Sequence, residues 1–377
     1  MSTKPSKDNH ISFKKSRLFT LGCEIEFQLL DPETLELKSR SVQILDSLPK
    51  RYRPKIKQEF IQSMVEVCTG ICSNIIEIER DLRQTIHELD HLAKEQECIV
   101  FASSLHPFSR FDQQRIFPDQ RYEKILEELG IVGRRLITQG LHCHVGLDSS
   151  HMAIKVFDRL RHWLPLLLAL SASSPFFQGV DTGFASYRSK LFDALPRSGM
   201  PQKLGSWGYY CDLVNLLKKC GIIDAPRDIW WDVRPSPDFG TIEIRICDVP
   251  SRFTSIVAIV ALIQAMVAAI ATNKLKPPNT HISILLNNKW QAARHGLQGY
   301  FVSQEHHAQK HIKDKLLELL RELEPVFSEL GSSDYVQILR QMVKQGTCSH
   351  LIRSIVKGHG DIKEAIRQLH QDFWKGY

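Results

Sequence analysis

Apolar and polar residues alternate from Leu21 to Leu30, which predicts a strand with Cys23, Ile25 and Phe27 on one face and Glu24 and Glu26 on the other. The turn residues Asp31-Pro32-Glu33-Thr34 follow it. Between Ile76 and Gln96 the apolar positions Leu82, Ile86, Leu89 and Ala93 recur at helical spacing among charges, so an amphipathic helix is expected there. Strands are expected over Cys98–Ser103 and Leu136–Leu147, then a helix over Met152–Ala172 kinked at Pro165. Strand patterns return at Ile229–Arg234 and Thr241–Asp248, joined as a hairpin through the turn Pro235–Gly240. The uncharged stretch Phe253–Asn273 reads as a buried core helix and not as a membrane span, because its strictly apolar part is short and it lies inside a globular pattern.

From about Ile282 to Tyr377 the pattern is helical, with breaks near residues 296–299, 331–333, 346 and 358–360. The segment Phe176–Trp207 is rich in Gly, Pro, Ser and Arg without a sustained period, as functional loops and lids are. With no internal repeat and no Ser/Gly-rich linker, the expected organisation is a flexible basic tail (1–17), one catalytic body (18–300) and a helical C-terminal segment (301–377) packed on that body. The class is α+β, a mostly antiparallel sheet with helices packed on one face.

Composition narrows the function. The chain has 377 residues, of which 43% are hydrophobic and 24% charged, which excludes disorder as its main state. A formal charge of +7 suits anionic ligands such as nucleotides. Its basic groups, Lys4 to Arg17 and Arg51 to Lys57, lack the run of aromatics that a base-stacking surface needs, so no nucleic-acid partner is expected. Nine cysteines without a C-x-x-C pair predict reduced thiols and a cytoplasmic protein, and the N-terminus has no apolar signal region. Cys68 and Cys72 read as small buried hydrophobes.

The chemistry concentrates where strands place acids, histidines and arginines two residues apart, on a shared face: Glu24 with Glu26, His142 with His144, Glu243 with Arg245, and Asp232 with Arg234. An ordinary solvent-facing strand also carries polar residues at this spacing, but it mixes Lys, Thr, Ser and Gln. Carboxylates, imidazoles and guanidinium groups gathered on one sheet face would instead bind hard cations and anionic oxygens. Glu59 and Glu66 are seven residues apart, which would put them near one face of a helix.

The segments GCEIEFQLLDPET, EVCTG, GLHCHVGLD, LPLLLALSASSPFFQGVDTGFASYRS, GSW, WWDVRPSP, TIEIRICDV and NNKWQAARHGL, in this order, closely resemble the type 2 glutamate-cysteine ligase family, also called carboxylate-amine ligases, of the glutamine synthetase-like superfamily. The resemblance runs from about Leu21 to at least Gly299. It implies a curved sheet bearing the active site and ATP-dependent amide formation through an acyl phosphate, glutamate and cysteine being the natural first pair. It also implies magnesium, with manganese as the alternative hard ion, small-molecule substrates, no membrane and a homodimer as the assembly.

Position by position, Glu24, His142 and Glu243 resemble one metal site and Glu26 with Glu66 a second. Glu59 would join a third ion, although the superfamily often has Asp there. His144 resembles a nucleotide contact and Arg245 a phosphate clamp, so that Arg245, Glu243 and Glu24 form the catalytic set. Arg234, Tyr187 and Arg188 are candidates for binding phosphate or the substrate carboxylate. Two other readings stay open on the residues: a non-catalytic member that binds nucleotide or amino acid, and a metal-dependent hydrolase using His142, His144, Glu24 and Glu243 to activate water.

Overall fold

The computed structural model describes residues 11–376. Seven strands make one antiparallel sheet: β1 (Leu21–Leu30), β2 (Ile56–Gln58), β3 (Met64–Cys68), β4 (Ile99–Phe101), β5 (Gly140–Gly146), β6 (Val233–Ser236) and β7 (Thr241–Asp248). Their order is β6-β7-β5-β1-β3-β2, and β4 follows β5 along the same edge of β1. Register sets the site. Glu24 lies opposite both His142 and Cys68, Glu26 opposite Glu66, and Glu243 opposite both His144 and Arg234.

The alternating partners of these residues face the other way. Cys23, Ile25, Phe27, Val65, Val67, Leu141, Cys143, Val145, Ile242 and Ile244 all belong to one buried core. Helices Ile75–Glu95, Ser150–Leu160 and Phe253–Ala271 cover that face. Phe253–Ala271 is apolar all round, as a helix in the interior must be. Among the described residues it is the one helix long and apolar enough to cross a membrane, and 94% of its most apolar stretch is buried in the protein.

Ile312–Glu329 and Asp334–Gln345 pack against that central helix, so residues beyond 300 share the main core. Helices Cys348–His359 and Ile362–Gln371 pair with each other and close a second apolar cluster with Leu30, Leu35, Phe101 and Phe176.

Several local expectations differ from what forms. Met152–Ala172 is two helices, Ser150–Leu160 and Leu164–Ser171; Pro165 falls in the first turn of the second, where a missing N–H is tolerated. The segment holding Glu59 and Glu66 is a β-hairpin, not a helix, consistent with the β-branched Val65 and Val67 flanking Glu66. Within Phe176–Trp207 a short helix forms at Arg188–Asp193. Past residue 299 the helical run is interrupted by a hairpin of β8 (Tyr300–Ser303) and β9 (Ala308–His311). Helices Gln120–Leu129 and Trp207–Lys219 were not signalled by the pattern.

Residues 11–17 are not a flexible tail. Lys14 N donates to Pro237 O and Ser16 N to Leu147 O, each at 2.9 Å, while Trp207 Nε1 donates to Ile11 O at 2.9 Å. They form a strap over the β6–β7 turn. Gly240 in that turn has φ +64°, and a Cβ there would collide with the Lys14 carbonyl. The rest of the expected tail, residues 1–10, lies outside the described residues.

Candidate active site

The polar face of the sheet opens into a cavity of about 500 Å³ whose lining includes Glu24, Glu26, Glu59, Glu66, His142, Arg234 and Arg245. His142 occupies its floor, with Nδ1 3.5 Å from Glu24 Oε2 and Nε2 4.0 Å from Glu26 Oε1. His144 Nε2 lies 3.7 Å from Glu24 Oε1 and 3.9 Å from Glu243 Oε2, and its Nδ1 meets Thr241 Oγ1 at 2.9 Å. Glu243 accepts from Arg234 Nε at 2.6 Å and Nη2 at 3.1 Å, and from Arg245 Nη1 at 2.5 Å. Arg234 is further fixed by donating Nη1 to the carbonyls of Arg227 and Ile229. Both arginines still line the cavity, so each presents part of its guanidinium to whatever enters.

Electrostatics divides the cavity into two poles. Burial alone would raise the Glu24 carboxyl, but His142 and His144 outweigh it and hold it at about 2. Glu243 is likewise resisted by burial, yet Arg234 and Arg245 keep it well below the usual carboxylate range. At the other pole burial, then the neighbouring acids Glu26 and Glu66, push Glu59 well above its ordinary value. Glu66 is pushed up to about 8 by burial and by Glu24. Crowded, buried carboxylates disfavour one another's charged forms at this pole.

This donor set fits divalent cations. One ligand atom each from Glu24, His142 and Glu243 lies within 4.8 Å of the other two, and the same holds for Glu26, Glu66 and His142. His142 is 3% exposed, and neither ring nitrogen has a hydrogen-bond partner among the described residues. Burial and Arg245 lower its pKa, which keeps the imidazole neutral with a lone pair to offer. An orphaned buried polar group is costly, and a metal ion would satisfy it. A set dominated by carboxylates suits hard ions such as magnesium.

Two expected site residues, Tyr187 and Arg188, are not on the wall of this cavity. Tyr187 lines a separate open depression with Arg110, Phe111 and Phe177. Arg188 is buried beside Gly140, where a Cβ would meet both its guanidinium and His142 Nε2; it lies over the Phe192 ring and donates to Arg245 O at 3.3 Å and Ile246 O at 3.4 Å. The β5–β7 register shifts between Ile244 and Cys247, so these carbonyls sit at a bulge, and Arg188 supplies donors there. Arg188 Nη1 lies 3.8 Å from Asp248, whose carboxylate accepts from Ser173 N, Ser174 Oγ and Ser186 Oγ. Asp232 is also turned inward, 2.7 Å from Lys289 Nζ. Lys57, Arg121, Tyr122, Trp230 and Phe239 also stand on the cavity wall; the turn around Phe239 is visible in the sequence, the place of the aromatic at its tip is not.

This antiparallel sheet with helices on one face is a fold shared with solved ligase structures. The glutamate–cysteine ligase of Francisella tularensis, solved in complex with AMP, superimposes with a TM-score of 0.70 at 16% identity over 96% of this chain and 90% of that one. A bifunctional glutathione synthetase from Pasteurella multocida gives 0.71 at 13% identity, covering 94% of this chain and 52% of that one. The model of glutamate-cysteine ligase family 2 matches residues 20–370, and the chain belongs to that family. Relatives provisionally named glutamate–cysteine ligase 2 include those of Solibacter usitatus, 36% identical over 92% of this chain and 91% of that protein, and Bdellovibrio bacteriovorus, 34% identical over 98% of each. It is therefore an enzyme of the carboxylate–amine ligase type, forming C–N bonds.

Proposed function

We propose that the protein joins the side-chain carboxylate of glutamate, or of a related acid, to the amino group of cysteine or a similar amine, driven by ATP through an acyl phosphate. The observation that carries this reading is the meeting, on one sheet face, of a carboxylate–imidazole set fit for divalent cations with two arginines anchored on Glu243. Phosphoryl transfer needs that pairing, because its catalysis is mostly positioning and neutralisation of charge.

In this reading Glu24, His142 and Glu243 hold one magnesium ion, Glu26 and Glu66 a second, and Glu59 assists a third. Such ions, when bound, neutralise phosphate oxygens. His144, oriented by Thr241, contacts the nucleotide. Arg245 and Arg234 bind phosphoryl oxygens, and their shared carboxylate keeps both forks preset. A carboxylate oxygen of the acid attacks the γ-phosphorus and ADP leaves. The amine nitrogen then attacks the acyl carbon, phosphate leaves, and the amine proton passes to solvent. No side-chain nucleophile is required, since the substrate carboxylate fills that role. The enzyme works in the cytoplasm on small molecules.

Glutamate labelled with heavy oxygen in its side-chain carboxylate tests the route. The account expects one labelled oxygen in the released phosphate and the amide in the product by mass spectrometry. Unlabelled phosphate accompanying amide formation would contradict the acyl phosphate.

A further inference from the structure

Cys68 ends β3 two residues beyond Glu66, on the same face, opposite Glu24 of β1. The thiol therefore stands among the carboxylates, whereas Cys23, Cys72, Cys98, Cys143 and Cys247 sit in the apolar core. Its Sγ donates to Glu66 Oε2 at 3.0 Å. One ligand atom each from Glu24, Glu66 and Cys68 lies within 4.8 Å of the other two. A second observation points to a cation here: the unpartnered, buried ring of His142 stands 3.5 Å from Glu24 and offers a nitrogen within 4.8 Å of a Glu66 oxygen.

A thiolate is a soft donor, and adding one to two carboxylates shifts preference from magnesium toward borderline ions such as zinc. We propose that Glu24, Glu66 and Cys68 form a binding site for a thiophilic divalent cation, zinc above all, which competes with magnesium at the active face. The inference rests on the metal-binding part of the proposed function and not on turnover. On binding, a sulfur–metal bond forms and the thiol proton passes to solvent; nothing is oxidised or reduced. Lys57 Nζ, 3.9 Å from Glu66 Oε2, is on a side chain 47% exposed.

The test is an anaerobic titration of the reduced full chain with cobalt(II), without nucleotide or amino acids. A near-ultraviolet thiolate-to-cobalt charge-transfer band is expected, bleached by zinc and absent from Cys68→Ser and Cys68→Ala. Glu66→Gln, which keeps the thiol, should move the band to higher cobalt concentration. A wild-type spectrum without the band, a band that survives in Cys68→Ala, or one unmoved in Glu66→Gln overturns the site. These results do not depend on catalysis. Turnover without the band refutes the sulfur ligand alone, and the band in a chain without turnover supports the ligand while refuting the ligase.

Discussion

Glu243 is 1% exposed, faces His144 across the strands and takes bonds from both Arg234 and Arg245, so its charge is spoken for before any ligand arrives. Removing it would strand two guanidinium groups, and a loss of activity there would mix chemistry with folding. Glu24 is the cleaner probe. Glu24→Gln is expected to abolish ATP turnover while thermal melting and circular dichroism stay near wild type; near-normal turnover would remove Glu24 from the metal set. Arg245→Lys keeps the charge beside Glu243 but loses the planar fork, and kcat should fall about a hundredfold or more. The pairs Glu24/Glu26, His142/His144 and Glu243/Arg245 were legible in the sequence because strand geometry alone puts i and i+2 together. The place of Cys68 was not, nor was the buried setting of Arg188. The face Cys68 occupies depends on its segment being a strand, and Arg188 is drawn inward by Asp248, a partner 60 residues away in the chain.

Among the elements, β5 carries the tightest local constraint. Gly140 N donates to Glu26 Oε2 at 2.6 Å, and a Cβ on Gly140 would lie 2.7 Å from His142 Nε2 and collide with the Arg188 guanidinium. Gly140→Ala should therefore displace His142 and the bulge below Arg245, lowering kcat more than it lowers the melting temperature. An unchanged kcat would show that this packing does not set the site.

A second element-level prediction concerns Ile75–Glu95, where Asp90 lines a cavity of about 170 Å³ with Lys94, His370 and Trp374. Burial raises the Asp90 carboxyl from 3.8 to about 6, against Lys94 and a Trp374 hydrogen bond. Its folded pKa exceeds the unfolded one, so its contribution is complete below about 3.8 and is lost as pH rises through about 6. Asp90→Asn should be more stable than wild type above about pH 6, with the gap closing toward pH 3.8 in paired melting curves. A gap independent of pH would refute the linkage. The strand of Leu21–Leu30 and the helix starting near Ile76 were readable because each keeps one period throughout. The β2–β3 hairpin was not, since Glu59 and Glu66 satisfy a helical spacing equally well and only pairing with β1 decides.

For the molecule as a whole, one core runs from β1 to Phe373 around the helix Phe253–Ala271. Leu262 is wholly buried in that helix, and Leu262→Ala should cost about 2–5 kcal/mol in denaturant unfolding. A loss far smaller would mean that the helix is not the common support of sheet and C-terminal helices. The α+β class could be read from hydrophobic periods. The strap at residues 11–17 and the β8–β9 hairpin could not, because each is too short to show a sustained period, and the strap's place is fixed by backbone partners far along the chain.

The measurement that bears most directly on the ligase reading is phosphate release from ATP and magnesium by the purified full chain, with glutamate alone, cysteine alone, both, and a panel of other acids and amines. The account predicts release that requires an acid and an amine together, matched by the corresponding amide and lost in Glu24→Gln. Release that needs no amine, or turnover that proceeds without ATP, would contradict it.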